Sequence, residues 1–95
     1  MVTLINKFQV SEGRNDEFER VLAGITEYMS SQPGFLGHKL YRSLRNPGVY
    51  VETAQWKDAE SHRSAMQAEA FRSQVQQLGG VAKPDPDVFE TIDEL

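Results

Sequence analysis

Three stretches of the chain alternate between two faces in the way that β-strands do. Because successive strand residues point to opposite faces, every second residue shares a face. In Val2–Val10 one face carries Leu4, Asn6, Phe8 and Val10. In Phe35–Ser43 it carries Leu36, His38, Leu40 and Arg42. In Val49–Trp56 it carries Tyr50, Glu52, Ala54 and Trp56. Each stretch therefore predicts a strand with one largely apolar face.

Apolar residues at helical spacing fill the segments between and after these strands. The first set predicts a helix that ends at Pro33-Gly34, and it consists of Phe18, Val21, Leu22, Ile25 and Met29. After Asp58, which can cap a helix, a second set continues through a kink predicted near Ala68 to a break at Gly79-Gly80. Its members are Ala59, His62, Ala65, Met66, Phe71, Val75 and Leu78.

Turn signals and a short final run complete the predicted order β-α-β-β-α-β. Asn46-Pro47-Gly48 predicts a hairpin between the second and third strands. Val88–Asp93 is the predicted last strand, and Lys83–Asp87 is interpreted as an irregular approach to it. Right-handed crossovers make this a single α+β domain over residues 1–95 with the ferredoxin-like βαββαβ fold. The antiparallel sheet should have the strand order 4-1-3-2, with both helices on one face.

Composition excludes several classes of function. Charged residues make up 25% of the chain and the net charge is −4, so no basic surface for nucleic acid is expected. The chain contains no cysteine, which excludes disulfides, thiolate nucleophiles and thiolate metal sites. Two histidines without cysteine make no metal cluster. No apolar run approaches membrane length, so we expect a cytoplasmic protein with no membrane partner.

Three polar residues interrupt the sheet face that the helices should cover. Asn6 and Glu52 fall on the two predicted central strands. A hairpin symmetric about Asn46 places His38 opposite Ala54, on the same face. Burying a polar group without a partner costs roughly 1–3 kcal/mol. These groups therefore either satisfy one another at the sheet edge or line a ligand cavity, and their clustering beside a tryptophan favours the cavity.

Glu52 and Trp56 are the first candidates for chemistry, because they share this face two positions apart. Desolvation favours the protonated form of a carboxyl group, which suits Glu52 as a general base with His62 assisting. The alternative for Glu52 is an ion pair with Lys39 or Arg42. We predict Glu52, Trp56 and His62 as catalytic residues. The predicted substrate-binding residues are Asn6, Tyr50, His38 and Met66.

Several segments resemble the antibiotic biosynthesis monooxygenase family. They are Val2–Phe8, Gln32–Phe35 and Tyr50–Trp56, which follow the order and spacing of that family. The resemblance implies a dimeric α+β barrel, in which two sheets pack face to face. In this chain the pairing face would carry Ile5, Tyr41, Val49 and Val51. A homodimer through this face is therefore expected, since a chain of 95 residues gains much from covering it.

The resemblance excludes one branch of the family and favours another. Haem-degrading members use an Asn on the first strand, which Asn6 matches, but their Trp and His positions fall on Ala65 and near Val75. Valine cannot ligate iron, so haem degradation is rejected and no cofactor is expected. The polyketide oxygenases carry Asn-x-Ala-x-Trp on the third strand. Here Trp56 matches, while Glu52 replaces the Asn.

The resemblance and the residues together predict a cofactor-independent monooxygenase that oxidises an electron-rich aromatic, polyketide-type substrate with O₂. Glu52 would remove a proton from an acidic C–H or a phenol, and the anion would react with O₂ directly. His62 stands where the family commonly has an aromatic residue. Two alternatives stay open. One is a cofactor-free isomerase or cyclase that stops after deprotonation, and the other is a non-catalytic dimeric protein that binds a small ligand.

Overall fold

The computed structural model describes residues 1–95 as one antiparallel sheet covered on one face by three helices. The strands are β1 (Val2–Val10), β2 (Phe35–Arg42), β3 (Val49–Trp56) and β4 (Ala82–Glu90). The helices are α1 (Asn15–Ser30), α2 (Ala59–Met66) and α3 (Glu69–Gly79). The sheet order is β2-β3-β1-β4, which confirms the predicted ferredoxin-like fold and strand order. None of the helices combines the length and the apolar content that spanning a membrane requires.

The core lies between sheet and helices because β1 and β3 each turn an apolar face toward α1. Trp56, Tyr50, Phe8 and Phe18 are its largest side chains, and each is at most 2% exposed. The ring of Phe18 on α1 lies 4.9 Å from the ring of Phe8 and 4.6 Å from that of Tyr50, between centroids. Aromatic pairs at this spacing stabilise a core beyond the area that they bury. This aromatic cluster fixes α1 on the sheet.

The strand register gathers three polar residues under the helices. Asn6 pairs with Glu52 across β1 and β3. His38 pairs with Ala54 and Leu40 with Glu52 across β2 and β3, as the symmetric hairpin predicted. Paired residues in a sheet share a face, and Glu52 and Ala54 are buried beneath the helices. Asn6 and His38 therefore point into the same layer as Glu52.

A bulge in β2 changes the face on which Leu36 lies. The register shifts between Phe35 and Gly37, so that Phe35 pairs with Trp56. Leu36 is left 58% exposed, and the Phe35 ring lies 5.3 Å from the Trp56 ring in an edge-on contact. The expectation that Leu36 shares a face with His38 is wrong, because one extra residue in an antiparallel pair reverses the alternation beyond it.

The predicted bounds of the last strand are also wrong. β4 spans Ala82–Glu90, whereas the sequence pattern placed only Val88–Asp93 in the strand and Lys83–Asp87 outside it. The prolines at 84 and 86 argue against a central strand, but β4 is an edge strand. Pro84 and Pro86 are two residues apart, so their missing N–H groups lie on one side of the strand and can both face away from β1.

The second helical region consists of two helices, as the predicted kink implies. Asp58 caps α2 by accepting a hydrogen bond from the Ser61 backbone N–H at 2.8 Å. Hydrogen bonds from Ser61 hold the pKa of Asp58 below its usual value. Ala68, between the two helices, has an extended backbone with φ −69° and ψ 141°. The break allows α3 to pack against α1 and β4, which closes the layer over the sheet.

Candidate active site

A cavity of about 420 Å³ lies between the sheet and the helices. Small-molecule sites have volumes of roughly 300–1,000 Å³. Thirteen of the 22 residues that line the cavity are hydrophobic, and none is Lys or Arg. The polar side chains that line it include Asn6, Thr26, His38, Glu52 and His62. This lining suits an apolar, planar ligand that carries a few hydrogen-bonding groups.

Strand alternation and a helix cap place the principal side chains. The alternation of β1 and β3 turns Asn6 and Glu52 toward the helices. Trp56 ends β3 on the same face and is 1% exposed. The Asp58 cap begins α2 directly afterwards, so His62 lies near the start of that helix. The rings of Trp56 and His62 are 5.5 Å apart between centroids, in an edge-on arrangement.

Glu52 is a buried carboxylate with a histidine partner. It is 7% exposed, and its Oε2 atom lies 3.0 Å from His38 Nε2. The alternative of an ion pair with Lys39 or Arg42 is wrong, because Arg42 lies 3.8 Å from Glu19 instead. His38 and Glu52 are diagonal neighbours across β2 and β3, and such pairs interact when the side chains are long. The hairpin register was therefore the sequence signal for this contact.

Two buried nitrogen atoms at the cavity have no hydrogen-bond partner in the protein. They are Trp56 Nε1 and His62 Nε2, and both residues line the cavity. Burial lowers the pKa of His62, and the negative charge of Glu52 opposes that shift in part. The His62 imidazole is therefore neutral at neutral pH. An unpaired buried polar atom costs about 1–3 kcal/mol, so these two nitrogens lower the stability of the fold beside the cavity.

Asn6 and Met66 also line the cavity. The Asn6 side-chain oxygen accepts a hydrogen bond from the Asp85 backbone N–H at 3.0 Å, which ties Asn6 to the edge strand β4. Its NH₂ group is the part that can donate to a ligand. Met66 lies at the rim and is 36% exposed, so it can contact a ligand that extends out of the cavity.

Tyr50 does not line the cavity, which contradicts its predicted place in substrate binding. Its hydroxyl group donates to the Glu19 carboxylate and accepts from the Asn15 side-chain NH₂ at 3.2 Å. Burial raises the pKa of Tyr50, and the hydrogen bond to Glu19 raises it further. The alternation turns Tyr50 inward, but it lies six positions before Trp56, which is about 20 Å of strand. Tyr50 therefore belongs to the aromatic cluster.

The sequence pattern did not predict the lining residues from α1 and β4, or Phe35 from β2. Thr26 lies on the inner side of α1, one helical turn after Leu22. Phe35 enters through the bulge in β2, and Pro86 and Val88 enter because β4 begins earlier than predicted. The spacing of Leu22, Ile25 and Met29 could have identified Thr26, since residues four apart share a helix face.

The lining offers little to a metal or haem. No group of three or more His, Asp or Glu side chains is placed to hold a metal ion. Val75, near which the resemblance to haem-degrading members would place the iron-ligating His, presents an apolar side chain to the cavity. Ala65, at their Trp position, is buried. The residues present therefore do not fit haem, whereas they can remove a proton and donate hydrogen bonds to a nearby oxygen.

Known proteins resemble the chain in sequence and in structure. The family profile described as antibiotic biosynthesis monooxygenase matches residues 1–77. Deoxynogalonate monooxygenase from Streptomyces nogalater is 32% identical over 88 residues, which cover 93% of this chain and 74% of that protein. The crystal structure of SnoaB, a cofactor-independent oxygenase from Streptomyces nogalater, superimposes with a TM-score of 0.93 at 31% identity, over 99% of this chain and 95% of that chain. A conserved protein from Methanosarcina mazei Go1 superimposes with a TM-score of 0.85 at 19% identity, over 93% and 89% of the two chains, and shares the fold.

Proposed function

Because the chain belongs to the antibiotic biosynthesis monooxygenase family, we propose that it is a cofactor-independent monooxygenase that oxidises an electron-rich aromatic, polyketide-type substrate with O₂. The observation that carries this proposal is the buried Glu52 carboxylate in an apolar cavity, beside two nitrogen atoms without partners. The similarity to SnoaB, whose crystal structure is that of a cofactor-independent oxygenase, supports the same class of reaction.

The proposed reaction converts an activated CH₂ group into a carbonyl group. Glu52 removes one proton and leaves a carbanion that the aromatic rings delocalise. The carbanion gives one electron to O₂, and the resulting radicals combine to form a C–O bond. The peroxide anion then takes the proton back from Glu52. Loss of the second C–H proton to the carboxylate breaks the O–O bond, and the departing hydroxide takes up that proton as water. One O₂ is consumed and one water is released.

Trp56 and His62 hold the substrate oxygen that carries charge in the anion. The Trp56 Nε1–H group can only donate, so it fits a carbonyl or enolate oxygen. The neutral His62 ring can donate from Nε2 to a second oxygen or accept there from a phenol. Donors that are already in place and shielded from water stabilise a developing charge without reorganisation. In this proposal the apolar walls position the rings and keep water away from the carbanion.

The experiment is oxygen consumption with a dihydroxyanthrone as the probe substrate, corrected for its oxidation without protein. We expect one O₂ consumed per quinone formed, with one atom of isotopically labelled O₂ in the new carbonyl group. Incubation without O₂ separates this reaction from the isomerase or cyclase alternative, since only oxygenation requires O₂. Product that forms equally well without O₂ would refute the proposal, and so would tight binding of the probe without any turnover.

We also propose that the protein forms a homodimer through the sheet face opposite the helices. On this face Ile5 is 36% exposed and Tyr41 is 51% exposed, and Val49 and Val51 are half-buried. Tyr41 pairs with Val51, and Lys7 and Gln9 pair with Val51 and Val49 on the other side, so this face is half apolar and open on a small chain. A second copy of the same sheet is the partner that this face fits, because a two-fold axis would place like residues against each other.

A further inference from the structure

The hydrogen bonds around His38 assign it a role other than the substrate binding predicted for it. We propose that His38 is a positioning residue, which holds one oxygen of the Glu52 carboxylate by a hydrogen bond and directs the other into the cavity. The inference rests on the proposed function of Glu52 as the base. The two residues of this pair, His38 and Glu52, come from the neighbouring strands β2 and β3.

The neighbours of His38 determine which ring nitrogen carries the proton. The Thr26 hydroxyl donates its one proton to the Leu22 carbonyl oxygen at 3.0 Å. Toward His38 Nε2, which lies 3.4 Å away, Thr26 Oγ1 can therefore only accept. The ionised Glu52 carboxylate, 3.0 Å away, can also only accept. Two acceptors around one nitrogen require a proton on it, so His38 is protonated on Nε2.

This N–H group acts on one oxygen of Glu52. It donates to Oε2, and hydrogen bonds to a carboxylate are among the stronger ones in proteins. The bond also fixes the rotation of the carboxylate group. Oε1 accepts no hydrogen bond from the protein, which leaves it as the oxygen that takes the substrate proton. The base is therefore one defined atom, and its direction is set by His38 on the neighbouring strand.

No other side chain at the cavity donates a hydrogen bond to Glu52. Asn6 from β1 bonds through its side-chain oxygen to β4, and the Thr26 hydroxyl of α1 donates to the Leu22 carbonyl oxygen. The only other histidine, His62 on α2, makes no hydrogen bond to Glu52. No Lys or Arg lines the cavity. Without His38, the buried carboxylate would have no donor within hydrogen-bond distance.

The test compares His38→Leu with His38→Gln, because a Gln side chain can place an N–H donor near the position of Nε2. The matched control is Arg45→Gln, in the turn between β2 and β3, which is exposed and does not line the cavity. A hydrogen bond to a charged group contributes about 1.5–3 kcal/mol, so we expect kcat of His38→Leu to fall about 10- to 100-fold. KM should change little, and the isotope effect of a substrate deuterated at the reacting carbon should rise.

His38→Gln should recover most of kcat, since it restores the donor, and Arg45→Gln should match the wild type. A kcat of His38→Leu within twofold of the wild type would overturn the inference, while wild-type turnover would leave the proposed function standing. A higher KM with unchanged kcat would also overturn the inference and would indicate that His38 binds the substrate. If His38→Leu does not fold, His38→Gln is compared with the wild type. A Gln variant without a kinetic defect again supports the donor role, and a 100-fold loss of kcat refutes it.

A second measurement does not depend on turnover. Long-range ¹H–¹⁵N NMR spectra distinguish the two tautomers of each of the two histidines. We expect His38 to carry its proton on Nε2, and its nitrogen shifts should move in Glu52→Leu, which removes the acceptor. A proton on Nδ1 alone, with no response to Glu52→Leu, would overturn the inference even if the enzyme is active. An Nε2 proton with no oxygenation would refute the proposed function and leave the His38–Glu52 pair in place.

Discussion

The variant Glu52→Gln should lose turnover while it keeps ligand affinity and fold. Gln has the shape of Glu, and its amide oxygen can accept the hydrogen bond from His38 that Oε2 accepts at 3.0 Å in the wild type. The substitution therefore removes the base and leaves the cavity volume, the walls and the two unpartnered nitrogens unchanged. A loss of activity can then be assigned to proton transfer rather than to the shape of the site.

The expected magnitude follows from the surroundings of Glu52. General-base catalysis contributes about 10²–10⁴ in rate, which corresponds to about 3–5 kcal/mol in the barrier. Glu52 is the only carboxylate buried in the protein, and it is 7% exposed. Asp87, the other carboxylate that lines the cavity, is exposed on the edge strand β4. Among the other polar side chains that line the cavity, the neutral His62 ring is the buried one. The residual rate of Glu52→Gln should therefore fall further in Glu52→Gln/His62→Phe.

The assay follows quinone formation and ligand affinity in the same samples. Trp56 is the only tryptophan of the chain and lines the cavity, so quenching of its fluorescence by an unreactive anthraquinone reports binding directly. Urea unfolding measures stability, which should be unchanged or raised, because replacing a buried charged pair is often neutral or stabilising. The reasoning is refuted if Glu52→Gln turns over within threefold of the wild type at equal affinity. Glu52 would then be a tolerated buried carboxylate.

Three further predictions concern the dimer, acid stability and a turn. Val51→Asp places a charge on the open sheet face and should shift light scattering from dimer to monomer mass. A wild-type monomer at micromolar concentration would contradict the dimer. Burial lowers the pKa of His62, so the unfolded chain binds the proton more readily than the folded one. The free energy of unfolding should therefore decrease as the pH is lowered below about 6.5, by at most about 1.4 kcal/mol per pH unit. In His62→Phe the urea midpoint should depend less on pH between pH 7.5 and 5, and a pH dependence equal to that of the wild type would contradict this. Gly34 has φ +89°, and a Cβ there would lie 2.5 Å from the Ser61 side chain, so Gly34→Ala should lower the free energy of unfolding by about 1–3 kcal/mol. A smaller loss would show that Ser61 moves aside.

The sequence could predict the parts of the site that depend on alternation and on turn chemistry. The hairpin at Asn46 sets the register of β2 and β3, and this register brings His38 to the face that carries Glu52. The Asp58 cap sets the start of α2 and so the place of His62 above Trp56. Each of these relations acts over a few residues, and each follows from the spacing of residues along one element or across one turn.

The remaining features depend on tertiary context that a single sequence does not contain. The bulge that turns Phe35 inward and Leu36 outward depends on how β2 meets the end of β3. β4 tolerates Pro84 and Pro86 because it is an edge strand, and a strand pattern with two prolines does not reveal that position. The alternation indicates the face on which a side chain lies but not its place along the strand relative to a cavity. For that reason the alternation alone places Tyr50 in the site, although it does not line the cavity.

The unpaired nitrogen atoms connect the energetics of the fold to its function. Domains are stable by about 5–15 kcal/mol, and each orphaned buried polar atom costs about 1–3 kcal/mol. Trp56 Nε1 and His62 Nε2 therefore use a considerable part of the stability of a chain of 95 residues. A phenylalanine at either position would avoid this loss and would fill similar space. Binding of an oxygen-bearing ligand, as proposed, would give a reason for both polar rings beside a cavity that already contains a buried carboxylate.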